Sequence, residues 1–188
     1  FFVAHNKMKQ YLISKNIPEN KVFATGIPIS SRFLKMYNKK EIFDEFQLKE
    51  NIKTILFFGG GEFGLGKNKT VQIFEELVKN FNDIQIIAIA GKNEKMKLHF
   101  ENIVRENKKE NYVKILEYTN KVPELMAIAD LVVSKPGGLT TSESLACNLP
   151  MVIINPIPGQ EEENAEFLEE KGSGIWIRKH DSAYEIFK

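Results

Sequence analysis

Short apolar runs alternate with longer amphipathic segments along this chain. The apolar runs predict strands at residues 1–4, 21–24, 54–58, 84–90, 112–117, 131–133, 151–154 and 174–177. Between them, apolar residues recur at helical spacing, as at Val71, Phe74, Leu77 and Val78 in the helix predicted over residues 68–80. Strands that alternate with helices in this way predict an α/β protein, with a Rossmann-like parallel sheet and helices on both of its faces.

A parallel sheet gathers the loops that follow its strands at one edge, and the ligands of such sheets bind there. From residue 54 onward, those loops are residues 59–67, 91–93, 118–120, 134–142 and 155–160. Because all of them carry glycine or polar side chains, we expect one binding site along this edge of the sheet.

The segment Ser134-Lys135-Pro136-Gly137-Gly138-Leu139-Thr140-Thr141-Ser142-Glu143 joins a buried strand to a helix. Pro136 ends the strand, and the glycines allow a tight turn and the close approach of a ligand. The helix begins with free N–H groups, the positive end of its dipole and three hydroxyls, which favour an anion such as phosphate. Glu143, expected in the first turn, is placed either to interact favourably with the helix dipole or to accept hydrogen bonds from a ribose. A plain strand-to-helix connection with Ser or Thr capping explains the same residues.

The glycine loop after the strand at residues 54–58 matches two nucleotide-binding motifs in part. Gly59-x-Gly61-x-x-Gly64 has the spacing of the dinucleotide fingerprint, but the next strand ends in Ala90-Gly91-Lys92-Asn93, without the acid that binds the ribose. Gly61-x-x-x-x-Gly66-Lys67 has the spacing of a P-loop, but Asn68 replaces the Ser or Thr that binds magnesium. We favour a glycine-rich floor that lets a ligand or a second domain approach closely.

A third segment, Pro158-Gly159-Gln160-Glu161-Glu162-Glu163-Asn164, begins an acidic helix near the same edge. Gln160 and Asn164 are four residues apart and hence on one helical face, and their amides suit the hydroxyls of a sugar. The glutamates suit the positive end of the helix dipole. A solvated acidic face accounts for the glutamates farther along the helix.

Composition narrows the class of protein. The net charge of +1 gives no support to a nucleic-acid partner, and the single cysteine, Cys147, excludes a disulfide framework or a cysteine-rich zinc site. The histidines are too scattered to bind a metal, and no Ser-His-Asp or Cys-His arrangement can be assembled. No apolar run approaches the ~20 residues that cross a bilayer. Phe1-Phe2-Val3-Ala4 predicts a buried strand and the last residues predict a helix, so we expect a piece of a longer polypeptide.

Residues 133–143 and 155–165 resemble the donor-binding half of the monogalactosyl- and processive glucosyl-diacylglycerol synthases. Thr25-Gly26-Ile27-Pro28-Ile29, the glycine loop and Gly91-Lys92-Asn93-Glu94 are similar to that family as well, so the resemblance covers nearly the whole chain. The enzyme that transfers N-acetylglucosamine to a lipid-linked peptidoglycan precursor is a more distant relative, similar in its Gly-x-Leu-Thr-x-Ser-Glu segment.

The resemblance implies a GT-B glycosyltransferase, in which two Rossmann-like domains face a cleft. Residues 1–188 would be one nucleotide-sugar-binding domain, the C-terminal half, with residues 1–50 near the interdomain junction and 51–188 as the core. The N-terminal acceptor domain, which carries the expected general base, would be absent, so the catalytic residue is unknown and this chain alone is expected to lack turnover.

The implied reaction transfers a hexose from UDP-glucose or UDP-galactose to diacylglycerol or a glycosyldiacylglycerol. The enzyme would be cytoplasmic and peripheral at the inner face of the cell membrane. No metal or other cofactor is expected, because the helix dipole offsets the charge of the leaving diphosphate.

The resemblance also assigns roles to residues along the predicted edge. Backbone N–H groups would hold the diphosphate at Gly137, Gly138, Leu139 and Thr140. Glu143 would bind the ribose hydroxyls, and Gly61 would face the diphosphate or the acceptor.

The remaining assignments concern the sugar and the base. Gln160, Glu161 and Asn164 would hold the hexose, while Tyr118 and Thr119 would flank the uracil. Two other functions stay open here, namely transfer of N-acetylglucosamine to the peptidoglycan precursor and a non-catalytic module that binds a sugar nucleotide.

Overall fold

The computed structural model describes residues 1–59 and 67–188. These residues divide into two compact units, Phe1–Ser30 and Ser31–Lys188. Most of the glycine loop, including the contact predicted for Gly61, lies outside the described residues. The expectation of one nucleotide-sugar-binding domain over the whole chain stays a prediction.

The first unit combines a helix with a pair of short strands. Its elements are β1 (Phe2–Val3), α1 (Asn6–Ser14), a 3₁₀ helix (Glu19–Lys21) and β2 (Phe23–Ala24). The strands run parallel with Phe2 opposite Phe23, and the two rings pack with their centroids 5.8 Å apart. The expectation of a buried strand is wrong for Phe1 and Phe2, which are 62% and 79% exposed, because two strands offer too little surface to cover them.

The second unit is built on a parallel sheet, in which the described strands follow the order β5-β4-β3-β6-β7-β8. They are β3 (Lys53–Phe58), β4 (Ile84–Gly91), β5 (Val113–Glu117), β6 (Leu131–Ser134), β7 (Met151–Ile153) and β8 (Gly174–Trp176). The first strand of this sheet, β3, lies in the middle, and β4 and β5 follow on one side of it. The chain then crosses to the other side of β3, where β6, β7 and β8 follow in order. The strand order therefore reverses between β3 and β6, which is where such sheets bind their ligands.

Helices cover both faces of this sheet. In the described residues they are α2 (Lys39–Glu45), α3 (Lys67–Asn80), α4 (Glu94–Glu106), α5 (Val122–Ile128), α6 (Gly138–Ala146), α7 (Gln160–Glu170) and α8 (Ala183–Phe187), with a 3₁₀ helix at Ser31–Leu34. Ile55 and Phe57 of β3 belong to the core beneath α3, α4 and α8, whereas Leu56 belongs to the core beneath α2, α5 and α7. This alternation places one core on each side of the sheet and confirms the predicted fold class. None of the described helices is both long and apolar enough to cross a bilayer.

Gly59, directly after β3, is required by packing. A Cβ atom on Gly59 would lie 3.0 Å from Phe100 Cε2 and 3.2 Å from the carbonyl oxygen of Ile89. Its N–H donates to that same carbonyl at 2.9 Å and continues the pairing of β3 with β4. The first glycine of the loop thus makes room for α4, and the interpretation of the glycine loop as a floor for a ligand or a second domain stays a prediction.

Candidate functional site

A cleft lies at the carboxyl edge of the sheet, where β3 and β6 lead into their loops. Its volume is about 350 Å³. It is lined by Phe58, Ile89, Gly91, Ser134, Lys135, Gly137, Thr140 and Glu161. Phe58 and Ser134 end neighbouring strands, so the cleft occupies the point at which the strand order reverses. The edge predicted from the sequence thus carries a concave site.

The start of α6 borders this cleft. Gly137 is the N-cap residue, and its carbonyl accepts the first helical hydrogen bond, from the N–H of Thr141 at 2.9 Å. The N–H groups of Gly138, Leu139 and Thr140 come before that bond and have no acceptor within the helix. Within the described structure, the first turn holds no acidic residue and no side chain caps it. Main-chain N–H groups in this arrangement are suited to bind an anion.

The space beside Gly137 is open. Among the described residues, a Cβ atom built on Gly137 would meet Glu161 Oε1 at 4.0 Å and nothing closer. Gly137 therefore leaves room for a ligand, in contrast to Gly59. Lys135 brings a positive charge to the same cleft. Sequence reasoning overlooked this lysine, although it lies within the segment that carries the helix start.

The hydroxyls expected beside the anion site are used in different ways. Thr140 lines the cleft. Ser142 Oγ donates to the carbonyl of Gly138 at 2.9 Å, within the helix. Thr141 is buried, and its Oγ1 has no hydrogen-bond partner among the described residues. Thr140 is therefore the hydroxyl of this group that the structure places at the cleft.

Glu143 lies in the second turn of α6 and its carboxylate is partly buried, so the expectation that it lies in the first turn is wrong, because the helix begins at Gly138. Burial raises its pKa above the ordinary glutamate value of 4.5, and no cation or hydrogen-bond donor of the described residues offsets this. Burial, and to a lesser degree the charge of Glu143, also raises the pKa of the Cys147 thiol. A partly desolvated carboxylate without a partner is suited to accept hydrogen bonds from two neighbouring hydroxyls.

The loop after β7 and the start of α7 border the cleft from the other side. Glu161 Oε2 accepts the N–H of Ile157 at 2.7 Å, which leaves Oε1 towards the start of α6. Asn164 Nδ2 donates to the carbonyl of Pro136 at 2.8 Å and ties α7 to the turn before α6. Gln160 is exposed at the first position of α7. Of these predicted sugar contacts, Glu161 is at the cleft and Asn164 shapes its wall.

The predicted uracil contacts lie after β5. Tyr118 is 71% exposed. Thr119 Oγ1 accepts the N–H of Lys121 at 3.1 Å, so its hydroxyl helps to start α5. Three strand spacings of ~4.8 Å separate β5 from β6, about 14 Å in all. The structure thus places both residues on the same edge of the sheet but not in the wall of the cleft.

The end of β4 does not provide the acid of a dinucleotide site. Asn93 stands there and caps α4, accepting the N–H of Met96 at 3.0 Å. In the ranges that the structure describes, no group of three or more His, Cys, Asp or Glu is arranged to hold a metal ion.

Residues 54–187, from β3 to the end of α8, match the family described as "Glycosyltransferase family 28 C-terminal domain". The chain belongs to this family. The match includes the whole sheet of the second unit, the start of α6 and the loop before α7.

Among curated proteins, this glycosyltransferase domain is similar to processive diacylglycerol beta-glucosyltransferases. It is 34% identical to the protein from Bacillus licheniformis over 185 residues, which are 98% of this chain and 47% of that protein. It is 32% identical to the protein from Bacillus cereus over 187 residues, which are 98% of this chain and 46% of that protein. The resemblance predicted from the motifs is thus confirmed, and the chain spans about half the length of the curated relatives it matches.

Solved structures share the fold at low sequence identity. A glycosyltransferase from Rickettsia africae superposes with a TM-score of 0.67 at 14% identity, over 99% of this chain and 52% of that one. Anabaena HepE in complex with UDP superposes with a TM-score of 0.64 at 16% identity, over 99% of this chain and 52% of that one. A UDP-GlcNAc 2-epimerase from Neisseria meningitidis bound to UDP-GlcNAc superposes with a TM-score of 0.66 at 18% identity, over 98% of this chain and 50% of that one. These likenesses show the fold, a Rossmann-like half of the GT-B type.

Proposed function

We propose that this chain is the donor-binding half of a hexosyltransferase, holding UDP-glucose or UDP-galactose while the hexose passes to diacylglycerol or a glycosyldiacylglycerol. The observation that carries the proposal is the start of α6, where main-chain N–H groups without helical acceptors border a cleft at the reversal of strand order. Family membership and the similarity to diacylglycerol glucosyltransferases support the class of reaction.

The charges around the cleft favour one orientation of the donor. The diphosphate binds at the N–H groups of Gly138, Leu139 and Thr140, where the helix dipole and Lys135 offset its charge. Glu161 lies across the cleft and would repel a phosphate, but its free Oε1 accepts a hydrogen bond from a hexose hydroxyl. The hexose therefore points towards α7, and the nucleoside points the other way.

The nucleoside runs along the carboxyl edge of the sheet. The carboxylate of Glu143 accepts hydrogen bonds from the ribose hydroxyls, which replace the water that burial has removed. Tyr118 is exposed and available to stack on the uracil, with Thr119 beside it. The contact expected from Gly61 with the diphosphate or the acceptor lies outside the described residues and stays a prediction.

In the proposed reaction, the acceptor oxygen bonds to the anomeric carbon as the bond from that carbon to the diphosphate oxygen breaks. UDP leaves with an additional negative charge, which the oriented N–H groups of α6 stabilise without reorganisation. A base outside this chain takes the acceptor proton. We therefore expect residues 1–188 alone to bind the donor without turnover, in an enzyme that acts from the cytoplasmic side at the membrane surface.

Calorimetry tests the nucleotide preference on the 188-residue chain. We expect UDP to bind at least about tenfold more tightly than ADP or NAD, a difference of ~1.4 kcal/mol. Competition with UDP-glucose, UDP-galactose and UDP-N-acetylglucosamine then identifies the sugar. Equal binding of UDP and ADP would contradict the proposal, and preference for UDP-N-acetylglucosamine would favour the peptidoglycan reaction.

A second experiment separates an enzyme from a binding module. In the full-length protein, Glu143→Ala is expected to abolish most hexose transfer to diacylglycerol in detergent micelles. A protein that keeps its basal transfer rate would show that the site is regulatory.

A further inference from the structure

The residues before β3 pack against α5 and α6, the helices that follow the loops after β5 and β6. We call the 3₁₀ helix Ser31–Leu34 and α2 (Lys39–Glu45) together the strap. The strap contacts α5 through both of its elements and α6 through the 3₁₀ helix, where Cys147 Sγ donates to the carbonyl of Phe33 at 3.5 Å. It precedes residues 54–187, the part that matches the family. The contacts of the strap therefore lie outside the part of the chain that matches the family.

Arg32 of the strap reaches the loop that follows β5. Its Nη2 donates to the carbonyl of Asn120 at 2.9 Å, and to Glu124 Oε1 and Oε2 at 2.9 and 3.1 Å. The Glu124 hydrogen bond raises the pKa of the Arg32 guanidinium, which is charged at any physiological pH. One side chain thus joins the strap to the end of the loop and to the first turn of α5.

The loop itself has few other anchors in the described structure. Tyr118 is exposed, and Thr119 uses its hydroxyl to accept the N–H of Lys121. Lys121 forms an ion pair with Glu45 at the end of the strap. The described side-chain contacts that hold this loop from outside therefore come from the strap and from Phe46, the residue that follows it, whose ring lies 6.0 Å from Lys121 Nζ.

We propose that Arg32 is a positioning residue for the nucleobase end of the donor site, an inference that rests on the proposed function. By holding the carbonyl of Asn120, it sets the orientation of the preceding residues, Tyr118 and Thr119, against a bound uracil. It does not touch the diphosphate site at the start of α6. Arg32 thus contributes to the choice of base and not to the binding of phosphate.

The test compares binding of UDP, ADP and pyrophosphate to the 188-residue chain and its variants by calorimetry. Arg32→Ala is expected to weaken UDP binding roughly three- to tenfold, the size of effects transmitted through packed neighbours. It is expected to lower the preference for UDP over ADP while leaving pyrophosphate binding unchanged. Arg32→Lys, which keeps the charge, should recover part of the preference.

Lys53→Ala is the matched control. Lys53 Nζ forms an ion pair with Asp130 Oδ1 at 2.8 Å, also on the surface, but at the amino end of β3 and away from the loop. This variant should bind all three ligands as the wild type does, and thermal melting should show that every variant is folded.

Each remaining outcome decides one of the two ideas. A wild-type chain that binds UDP and ADP equally would overturn the proposed function, and with it the basis for the inference. Wild-type selectivity that Arg32→Ala retains would overturn the inference alone. The inference would also be overturned if Arg32→Ala weakened the binding of UDP and of pyrophosphate equally, or if Lys53→Ala weakened UDP binding to a similar degree. Either result would mean a general effect on the fold.

Discussion

The amide of Asn164 and the carbonyl of Pro136 are joined by a hydrogen bond of 2.8 Å between Nδ2 and the oxygen. This bond connects α7 to the turn that aims the first N–H groups of α6. A residue expected to bind sugar therefore also shapes the proposed diphosphate site. Gln160, one helical turn earlier, is exposed.

Replacing these two amides should separate their roles. Asn164→Ala is expected to weaken UDP and UDP-hexose equally, because the loop before α6 loses its anchor, and to cost about 1 kcal/mol of stability. Gln160→Ala should leave UDP binding unchanged and weaken only the UDP-hexose. Calorimetry with both ligands makes the comparison. Unchanged UDP binding in Asn164→Ala would show that the amide serves the sugar alone.

Two glycines should respond oppositely to the same substitution. Gly137→Ala fits the fold, since its Cβ would have Glu161 Oε1 at 4.0 Å as its nearest neighbour, but it enters the proposed anion site. We expect normal thermal stability and UDP binding weakened by at least about tenfold. Gly174→Ala would place its Cβ 2.9 Å from the Met151 carbonyl oxygen, so we expect a loss of ~1–3 kcal/mol in stability with unchanged UDP affinity. Loss of stability in Gly137→Ala would contradict the open space seen beside it.

The ionised carboxylate of Glu143 should lower the stability of the fold while it favours the binding of UDP. Burial raises its folded pKa above 4.5, so its ionised form destabilises the fold. This penalty is complete above the raised pKa and disappears as the pH falls through it to below the ordinary value. Glu143→Gln should therefore be more stable than the wild type at pH 7 by a margin that vanishes near pH 4. Urea unfolding at both pH values measures the margin.

The same variant should bind UDP about tenfold more weakly at pH 7, because an amide replaces one of the two acceptor oxygens offered to the ribose. A stability difference that does not change with pH would argue against a buried charge. Unchanged UDP affinity would remove Glu143 from the ribose site.

A buried amide at the opposite end of the sheet should affect stability alone. Gln85 is 2% exposed; it donates to the Lys49 carbonyl and Thr54 Oγ1, both at 2.8 Å, and accepts the Lys49 N–H at 3.0 Å. Gln85→Leu removes these hydrogen bonds, although Thr54 Oγ1 still donates to the Ile52 carbonyl at 3.4 Å, and should cost about 3 kcal/mol in urea unfolding, with unchanged UDP affinity. Gln72→Leu, at an exposed helix position, is the control and should stay within ~0.5 kcal/mol of the wild type. A small cost for Gln85→Leu would mean that water replaces the amide.

Local patterns predicted the elements of the second unit closely. The strand expected at residues 131–133 is β6 (Leu131–Ser134), and the helix expected at 68–80 is α3 (Lys67–Asn80). Periodicity succeeds here because it records which face of each element is buried. It failed at Phe1 and Phe2, where an apolar run does not tell whether other strands or helices cover it.

The start of α6 was also predictable, because proline, paired glycines and hydroxyls near one another define a strand-to-helix turn. Lys135 was overlooked for want of any local signal that separates it from the other surface lysines. Arg32 was beyond reach as well, since its partners Asn120 and Glu124 lie far along the chain.

Residue types and their spacing were enough for the α/β class, the edge of the sheet that carries the cleft and the family, because each depends on neighbours along the chain. The order of the strands in the sheet could not be predicted from neighbours along the chain. Because β3 and β6 are adjacent in that order, the loops that follow them border one cleft. Nor could spacing tell that Gly59 packs under α4 while Gly137 faces open space. Both distinctions arise from contacts between distant residues, which exist only once the sheet has assembled and set the distances between them.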